Sequence, residues 1–276
     1  MRGKLHRSGC RLCVGAVGFI AIATVLGGGC AVLAEETFEK TNSAWFEKVE
    51  SGGRVSVDNP YGNIYARFGG YENEVEILAS IQRIDSGRPP LHVRRTVVEG
   101  GLTIVVEPAE ADTPDTLAER RDRIDLVLFV PKGLTLDART ERDMIEAKGL
   151  KSDIKARSVQ GDINIRSITG RVDAESSRGR IYAGLESNVT QEHQHFSTIT
   201  GEIEIHLWED AVMQVDLATS GEISTDFTLR IEHRRFEEPG KFGYATLGEG
   251  GPRLTLQSKR GRIRLLRLQR DFKLPE

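Results

Sequence analysis

Four cations recur every nine residues in the middle of this chain: Arg139, Lys148, Arg157 and Arg166, with Glu175 in the fifth place. On strands they would stand in outward ladders, able to hold sulfated, phosphorylated or uronic-acid polymers by repeated charge contact. A second group lies near the C-terminus, where Arg262, Arg264 and Arg267 are joined by Lys259, Arg260, Arg270 and Lys273 against the single acid Asp271. Ile263 and Leu265 alternate with Arg262 and Arg264, the pattern of a strand buried on one side and charged on the other. These seven residues, Arg139, Lys148, Arg157, Arg166, Arg262, Arg264 and Arg267, form the candidate anionic-ligand surface. The plainer readings are a solvated face for the first four and a charged end cap that blocks edge pairing for the last three.

Other chemistry is thinner. His193 and His195 would share one strand face, and Glu192 or His206 would be the partner needed for zinc or copper, yet no cysteine or zinc-protease helix motif accompanies them. The expectation is a surface histidine pair and no metal. Asp162 and Asp173 could display carboxylates as glycan-cleaving β-helices do, but paired acids arise by chance in a chain with 41 of them. Asp162 has no counterpart at Arg171 or Arg180, which excludes a calcium solenoid of the glycine-aspartate type. There is no G-x-S-x-G elbow, phosphate-binding loop or H-E-x-x-H motif, so neither a catalytic residue nor a cofactor is expected.

The elements that must carry these residues come from six copies of a nine-residue unit. Leu136, Ile145, Ile154, Ile163, Val172 and Ile181 form one apolar column, and Ala138, Ala147, Ala156, Ile165, Ala174 and Ala183 a second. Leu150, Val159 and Ile168 add a partial third, and Gly161, Gly170 and Gly179 precede the first by two residues. A short fixed period means that no unit can bury its apolar face alone and each must stack on its neighbours. The spacing predicts two strands and two turns per coil, with successive units on opposite sheets. The glycines suit turns with positive φ or a close approach of coils.

Between Gly53 and Val130 the apolar residues follow period two, as in Val55, Val57, Ile64, Ala66 and Phe68, punctuated by Asn59-Pro60-Tyr61-Gly62 and Gly100-Gly101. That predicts antiparallel strands or irregular rungs leading into the stack. Asp112 to Arg123 reads as a loop or one short helix. Beyond Ala183 the phrase returns as GEIEI at Gly201, GEIST at Gly221 and GRIRL at Gly261; the twenty residues between the first two suggest two further units and an insertion.

Residues 1–34 read as an export signal: Arg2, Lys4, Arg7 and Arg11, an apolar stretch from Leu12 to Leu26, and a small-residue cleavage site at Val32-Leu33-Ala34. Lipidation at Cys30 or an uncleaved anchor are the alternatives. Cys10, Cys13 and Cys30 all precede the cleavage point, so the remainder, residues 35–276, would hold no disulfide or thiolate site. Of the 276 residues, 38 are basic and 41 acidic; losing the leader's four bases leaves 34 against 41, a net charge of −7. That balance excludes a general nucleic-acid binder. Asn188-Val189-Thr190 matches the N-glycosylation triplet, though reading the leader as a bacterial one argues against its use.

The phrase NPYGNIYA at Asn59, the strand ending in Val130-Pro131, the G-polar-I/V units at Gly161, Gly170 and Gly179, and LTLQSKRGRIRL from Leu254 together resemble the bacterial putative-adhesin family of exported β-strand repeat proteins, over roughly Val55 to Leu265. The resemblance implies an exported or membrane-associated protein without an assigned catalytic site, and it transfers no functional residue. The sequence therefore predicts an all-β protein: a β-solenoid or β-helix-like stack, regular over about 134–185, with an N-terminal antiparallel β region, all in one domain over 35–276. The expected role is non-enzymatic, in the periplasm, on the cell surface or secreted. Its expected partners are envelope polysaccharide, an anionic lipid surface or another envelope protein. The rival roles are a polysaccharide-active β-helix enzyme and a periplasmic partner of a membrane signalling or stress system.

Overall fold

The computed structural model describes residues 38–84, 87–110, 120–185 and 192–268, and among them the protein is all-β, with 21 strands and no helix. The leader with its three cysteines, most of Asp112 to Arg123, the Asn188 triplet, Arg270, Asp271 and Lys273 lie outside the described residues.

The first seven strands are β1 (Glu39–Lys48), β2 (Arg54–Asp58), β3 (Ile64–Phe68), β4 (Glu74–Arg83), β5 (Leu91–Val98), β6 (Gly101–Pro108) and β7 (Arg123–Val130). The regular units follow as β8 (Thr135–Thr140), β9 (Ile145–Lys148), β10 (Ile154–Ser158), β11 (Ile163–Arg166), β12 (Val172–Ser176) and β13 (Ile181–Leu185). The rest are β14 (Gln194–Thr198), β15 (Ile203–Trp208), β16 (Met213–Thr219), β17 (Ile223–Thr225), β18 (Arg230–His233), β19 (Lys241–Leu247), β20 (Arg253–Ser258) and β21 (Ile263–Leu268). They form two mixed sheets with open edges, not a closed barrel. Sheet I runs β1, β4, β7, β3, β9, β11, β13, β15, β21, β17, and sheet II runs β5, β6, β2, β8, β10, β12, β14, β20, β16, β19, β18.

Consecutive units do alternate between the sheets, so each nine-residue column of the sequence splits into two columns of period eighteen. Ile145, Ile163 and Ile181 pair in parallel register in sheet I, while Leu136, Ile154 and Val172 do so in sheet II. All six are almost fully buried, as are the alanines and Ile165 of the second column. Each fully buried Ile or Leu contributes about 1.5–3 kcal/mol, so the columns are the main stabilising element. Gln194 takes an apolar place in the sheet II column, and it is tolerated because its Oε1 accepts from Val172 N at 2.8 Å while its Nε2 donates to Gly170 O and Glu192 O.

Four expectations need correction. β2 and β3 are not part of an antiparallel region but take the alternative of rungs leading into the stack: they pair in parallel with β8 and β9, because Val55, Val57, Ile64 and Ala66 continue the same apolar columns. Antiparallel pairing in the N-terminal part is confined to β1 with β4, β4 with β7 and β5 with β6. The third column also fails at Val159, which is 47% exposed while Leu150 and Ile168 are buried. Leu150 and Ile168 occupy the turn that leaves sheet I, whereas Val159 occupies the differently shaped turn that leaves sheet II.

The order of the late phrases differs as well. Ile263 pairs with Ile203 on one side and Ile223 on the other, so the spatial order is Gly201, Gly261, Gly221. For the same reason β21 is not an edge strand, and its arginines do not guard one. The sheet edges at this end are β17 and β18.

Glycine is required at the turns leaving sheet II by proximity rather than by φ. A Cβ on Gly161 would stand 1.7 Å from Asp143 O, and one on Gly179 2.0 Å from Gly161 O. The turn backbones are stacked too closely for any side chain there.

Candidate functional site

The four nine-spaced cations separate by sheet, two on each outward face. Arg139 and Arg157 are in register on β8 and β10 in sheet II; Lys148 and Arg166 are in register on β9 and β11 in sheet I. The sheet II pair is not a bare basic stripe, whereas on sheet I Arg67 joins Lys148 and Arg166 in register on adjacent strands. Arg157 lies between Asp137 at 3.7 Å and Glu175 at 3.3 Å, and Asp58 is in register with Arg139 on the next strand. On sheet I, Arg166 donates to Asn164 Oδ1 and lies 5.5 Å from the Tyr182 ring centroid, and the neighbouring Arg67 is paired with Glu146.

The C-terminal arginines are answered in the same way. Arg262 meets Glu222 at 2.9 Å, Arg264 meets Glu204 at 2.7 Å, and Arg267 meets Glu209 at 3.4 Å beside the Phe227 ring. Exposed pairs of this sort add little stability, but they cancel the surplus charge that anion binding needs. Burial would raise the Glu204 carboxyl, but His206, Arg180 and Arg264 together outweigh it and hold the group below its ordinary value.

The histidines do not assemble a metal centre with His206, which is on β15 in sheet I, bonded to Glu204 at 2.7 Å. His193 Nδ1 accepts from Arg253 N, and His195 Nδ1 lies 2.9 Å from Asp173 Oδ1. Asp173, Glu175 and His195 do bring ligand atoms within 4.8 Å of one another. Lys155 already sits 3.6 Å from the other Asp173 oxygen, and Arg157 holds Glu175, so the cluster is a closed charge network. Asp162 and Asp173 are not brought together: Asp162 precedes β11 in sheet I and accepts from Arg180 N, while Asp173 is on β12 in sheet II.

What the sheets do build is a groove of about 630 Å³ along the corner where the chain leaves sheet II. It crosses β2, β8, β10, β12 and β14, which at about 4.8 Å per strand is a run of roughly 19 Å parallel to the stack. Arg139 and Arg157 line it with Asp58, Glu141 and Glu175; Val159 and Ile199 supply exposed apolar surface. Thr140, Ser158, Ser176 and Thr198 form a column of hydroxyl residues beneath.

Of these lining residues the sequence marked only the two arginines as ligand contacts. A repeated Ser or Thr three places before glycine, as in Ser158 and Gly161 or Ser176 and Gly179, is the signal that would have located the corner.

Burial raises the Asp58 carboxyl above its ordinary value, with Arg139 pulling it down and Glu141 pushing it up. A carboxyl that binds its proton more tightly when folded destabilises the fold while ionised, so stability rises as pH falls through its raised pKa. Asp58→Asn is therefore expected to melt higher than the unaltered protein at pH 7, with the gap closing towards pH 4. Thermal melts at the two pH values check this.

No family profile and no curated protein matches the chain. It is similar to solved structures of a putative cell adhesion protein from Clostridium sporogenes (8% identity, 83% of this chain and 100% of that one, TM-score 0.46). The corresponding values for a putative adhesin from Bacteroides fragilis are 12%, 83%, 97% and 0.37. For one from Parabacteroides distasonis they are 9%, 83%, 97% and 0.24. These neighbours bear adhesion or adhesin names.

Proposed function

We propose that this chain is a non-enzymatic β-solenoid scaffold, exported to the cell envelope or exterior, that holds a linear glycan in the corner groove. The observation that carries the reading is the groove itself. It is open and parallel to the stack, so a polymer lying in it touches five successive strands, and weak contacts add along its length. The solenoid reading rests on parallel in-register pairing through β3, β9, β11, β13 and β15 on one sheet and β2, β8, β10, β12 and β14 on the other, with an offset of eighteen residues from β8 to β12 and from β9 to β13. The paired C-terminal arginines favour the groove over the basic end as the contact surface.

Co-sedimentation with insoluble cell-wall polysaccharides tests the reading. Val159→Asp combined with Ile199→Asp changes only exposed positions and is expected to abolish binding, while Lys148→Glu on the opposite sheet leaves it intact. Equal binding by all three proteins would remove the groove from the account.

A second reading, a polysaccharide-cleaving enzyme, is favoured by one observation: Asp58, with its raised carboxyl, shares the groove with Glu141, Glu175 and two arginines. The binding reading expects a bound polysaccharide to keep its chain length on prolonged incubation; the enzymatic reading expects fragments that disappear in Asp58→Asn.

A further inference from the structure

We infer that β1 is a self-pairing edge: two copies of this chain join antiparallel along it, about a two-fold axis at Asn42, and their two copies of sheet I become one continuous sheet.

The two ends of the stack are built unequally. At the C-terminal end the outermost strands are β17 and β18, of three and four residues; at the N-terminal end they are β1 and β5, of ten and eight. A short edge strand offers little backbone to another chain, whereas a long one is a template for pairing.

The register shows which groups of β1 are open. Val49 N donates to Asn73 O at 2.9 Å, and these two residues continue the antiparallel register of β1 with β4. Hydrogen-bonded pairs alternate along such a ladder, so the odd residues from Glu39 to Glu47 bond β4. The even ones, Lys40, Asn42, Ala44, Phe46 and Lys48, turn their N–H and C=O to the edge. Among the described strands β1 has β4 as its one neighbour, so nothing in the sheet meets these groups. The inner face of β1 is fixed from within, since Arg95 of β5 lies 4.5 Å from the Trp45 ring centroid and pairs with Glu47. The open edge is therefore held ready, and pairing costs little ordering.

The sequence of β1 fits itself. Phe38, one residue before the strand, and Phe46 are 60% and 52% exposed, and they stand four residues to either side of Asn42. Antiparallel pairing about Asn42 sets Phe38 opposite Phe46 of the second copy at both ends of the ladder, so four exposed rings become two cross-strand aromatic pairs. Lys40 then faces Ala44, Thr41 faces Ser43 and Glu39 faces Trp45, with no like charges opposed. Moving the axis to Ser43 would set Glu39 against Glu47, moving it to Ala44 would set Lys40 against Lys48, and moving it to Trp45 would leave Phe38 without a match. The even residues are hydrogen-bonded pairs in the Asn42 register, and Phe38 with Phe46, Lys40 with Ala44 and Asn42 with its own counterpart give about ten backbone bonds across the axis.

The test is sedimentation equilibrium of the full chain at concentrations up to about 100 µM. The expected result is a monomer–dimer equilibrium. Ala44→Pro deletes an open N–H on an edge that tolerates proline, and Phe46→Asp deletes one ring of each aromatic pair. Each should raise the dissociation constant about thirtyfold or more, because every loss occurs twice across the axis, with the thermal melt of the monomer little changed. Phe236→Asp alters a fully exposed ring at the other end of the stack and should leave the dimer intact.

The register is read separately. With Cys10, Cys13 and Cys30 changed to serine, Asn42→Cys should oxidise to a covalent dimer. Ala44→Cys should not, since the two copies of residue 44 would lie about 13 Å apart, beyond the reach of a disulfide.

A monomer mass at every concentration would overturn the inference. So would a dimer that both Ala44→Pro and Phe46→Asp retain, or one that Phe236→Asp weakens as much as they do. A covalent dimer of Ala44→Cys and none of Asn42→Cys would overturn the Asn42 axis.

Discussion

Ile163→Asp is expected to abolish the cooperative unfolding transition or to lower stability by about 4 kcal/mol or more. Ile163 is 1% exposed on β11, in parallel register with Ile145 and Ile181, and the column continues through Ile203 and Ile263. A carboxylate there has no partner, and desolvating it removes a large share of the roughly 5–15 kcal/mol that holds a domain of this kind together. The adjacent Asn164 points outward, where its side chain accepts from Arg166, so Asn164→Asp is the matched control and should change stability little. Urea unfolding followed by circular dichroism reads both. Equal midpoints for the two variants would refute the inward assignment of the column.

Gly261→Ala is the other substitution expected to act strongly, at about 3 kcal/mol, and it acts locally. A Cβ on Gly261 would fall 1.8 Å from Gly201 O, and a carbonyl of a stacked turn cannot retreat without breaking the strand pairs on either side. Because neighbouring strands contact mainly one another, hydrogen exchange should accelerate first in β20 and β21 and in the strands beside them, β14, β15, β16 and β17, while β10 and β11 keep their protection. Gly87→Ala is the control, with nothing within 4 Å of its added Cβ. Uniform acceleration across the chain, or none, would contradict the assigned neighbour order.

What could be read in the sequence was what local periodicity encodes. Ile145, Ile163 and Ile181 are spaced by eighteen residues, two of the nine-residue units, so their burial and the alternation of sheets follow from counting. Val159 misled because a nine-residue period superposes two turns of different shape. The glycine phrases misled because linear order does not record that a later strand inserts between earlier ones. Arg157, Arg262 and Arg264 looked unopposed because their acids, Glu175, Glu222 and Glu204, are 18 to 60 positions away along the chain. The groove was hidden for the same reason: it is assembled from residues of five strands and the turns that follow them, which lie far apart along the chain.

The two ends of the stack also differ in when they become complete. At the N-terminal end the inner strands β2 and β3 are synthesised before β6 and β7, which pack outside them. At the C-terminal end the sequence is reversed, since β16 and β17 pack outside β20 and β21 yet precede them in the chain. Through nearly all of its synthesis, the chain therefore carries β14 and β15 with one side unpaired and β16 and β17 without their inner neighbours. Only arrival of residues 253–268 closes both gaps, so a copy cut short by this last segment leaves unpaired the sides of β14 and β15 and the inner sides of β16 and β17 that the finished protein pairs.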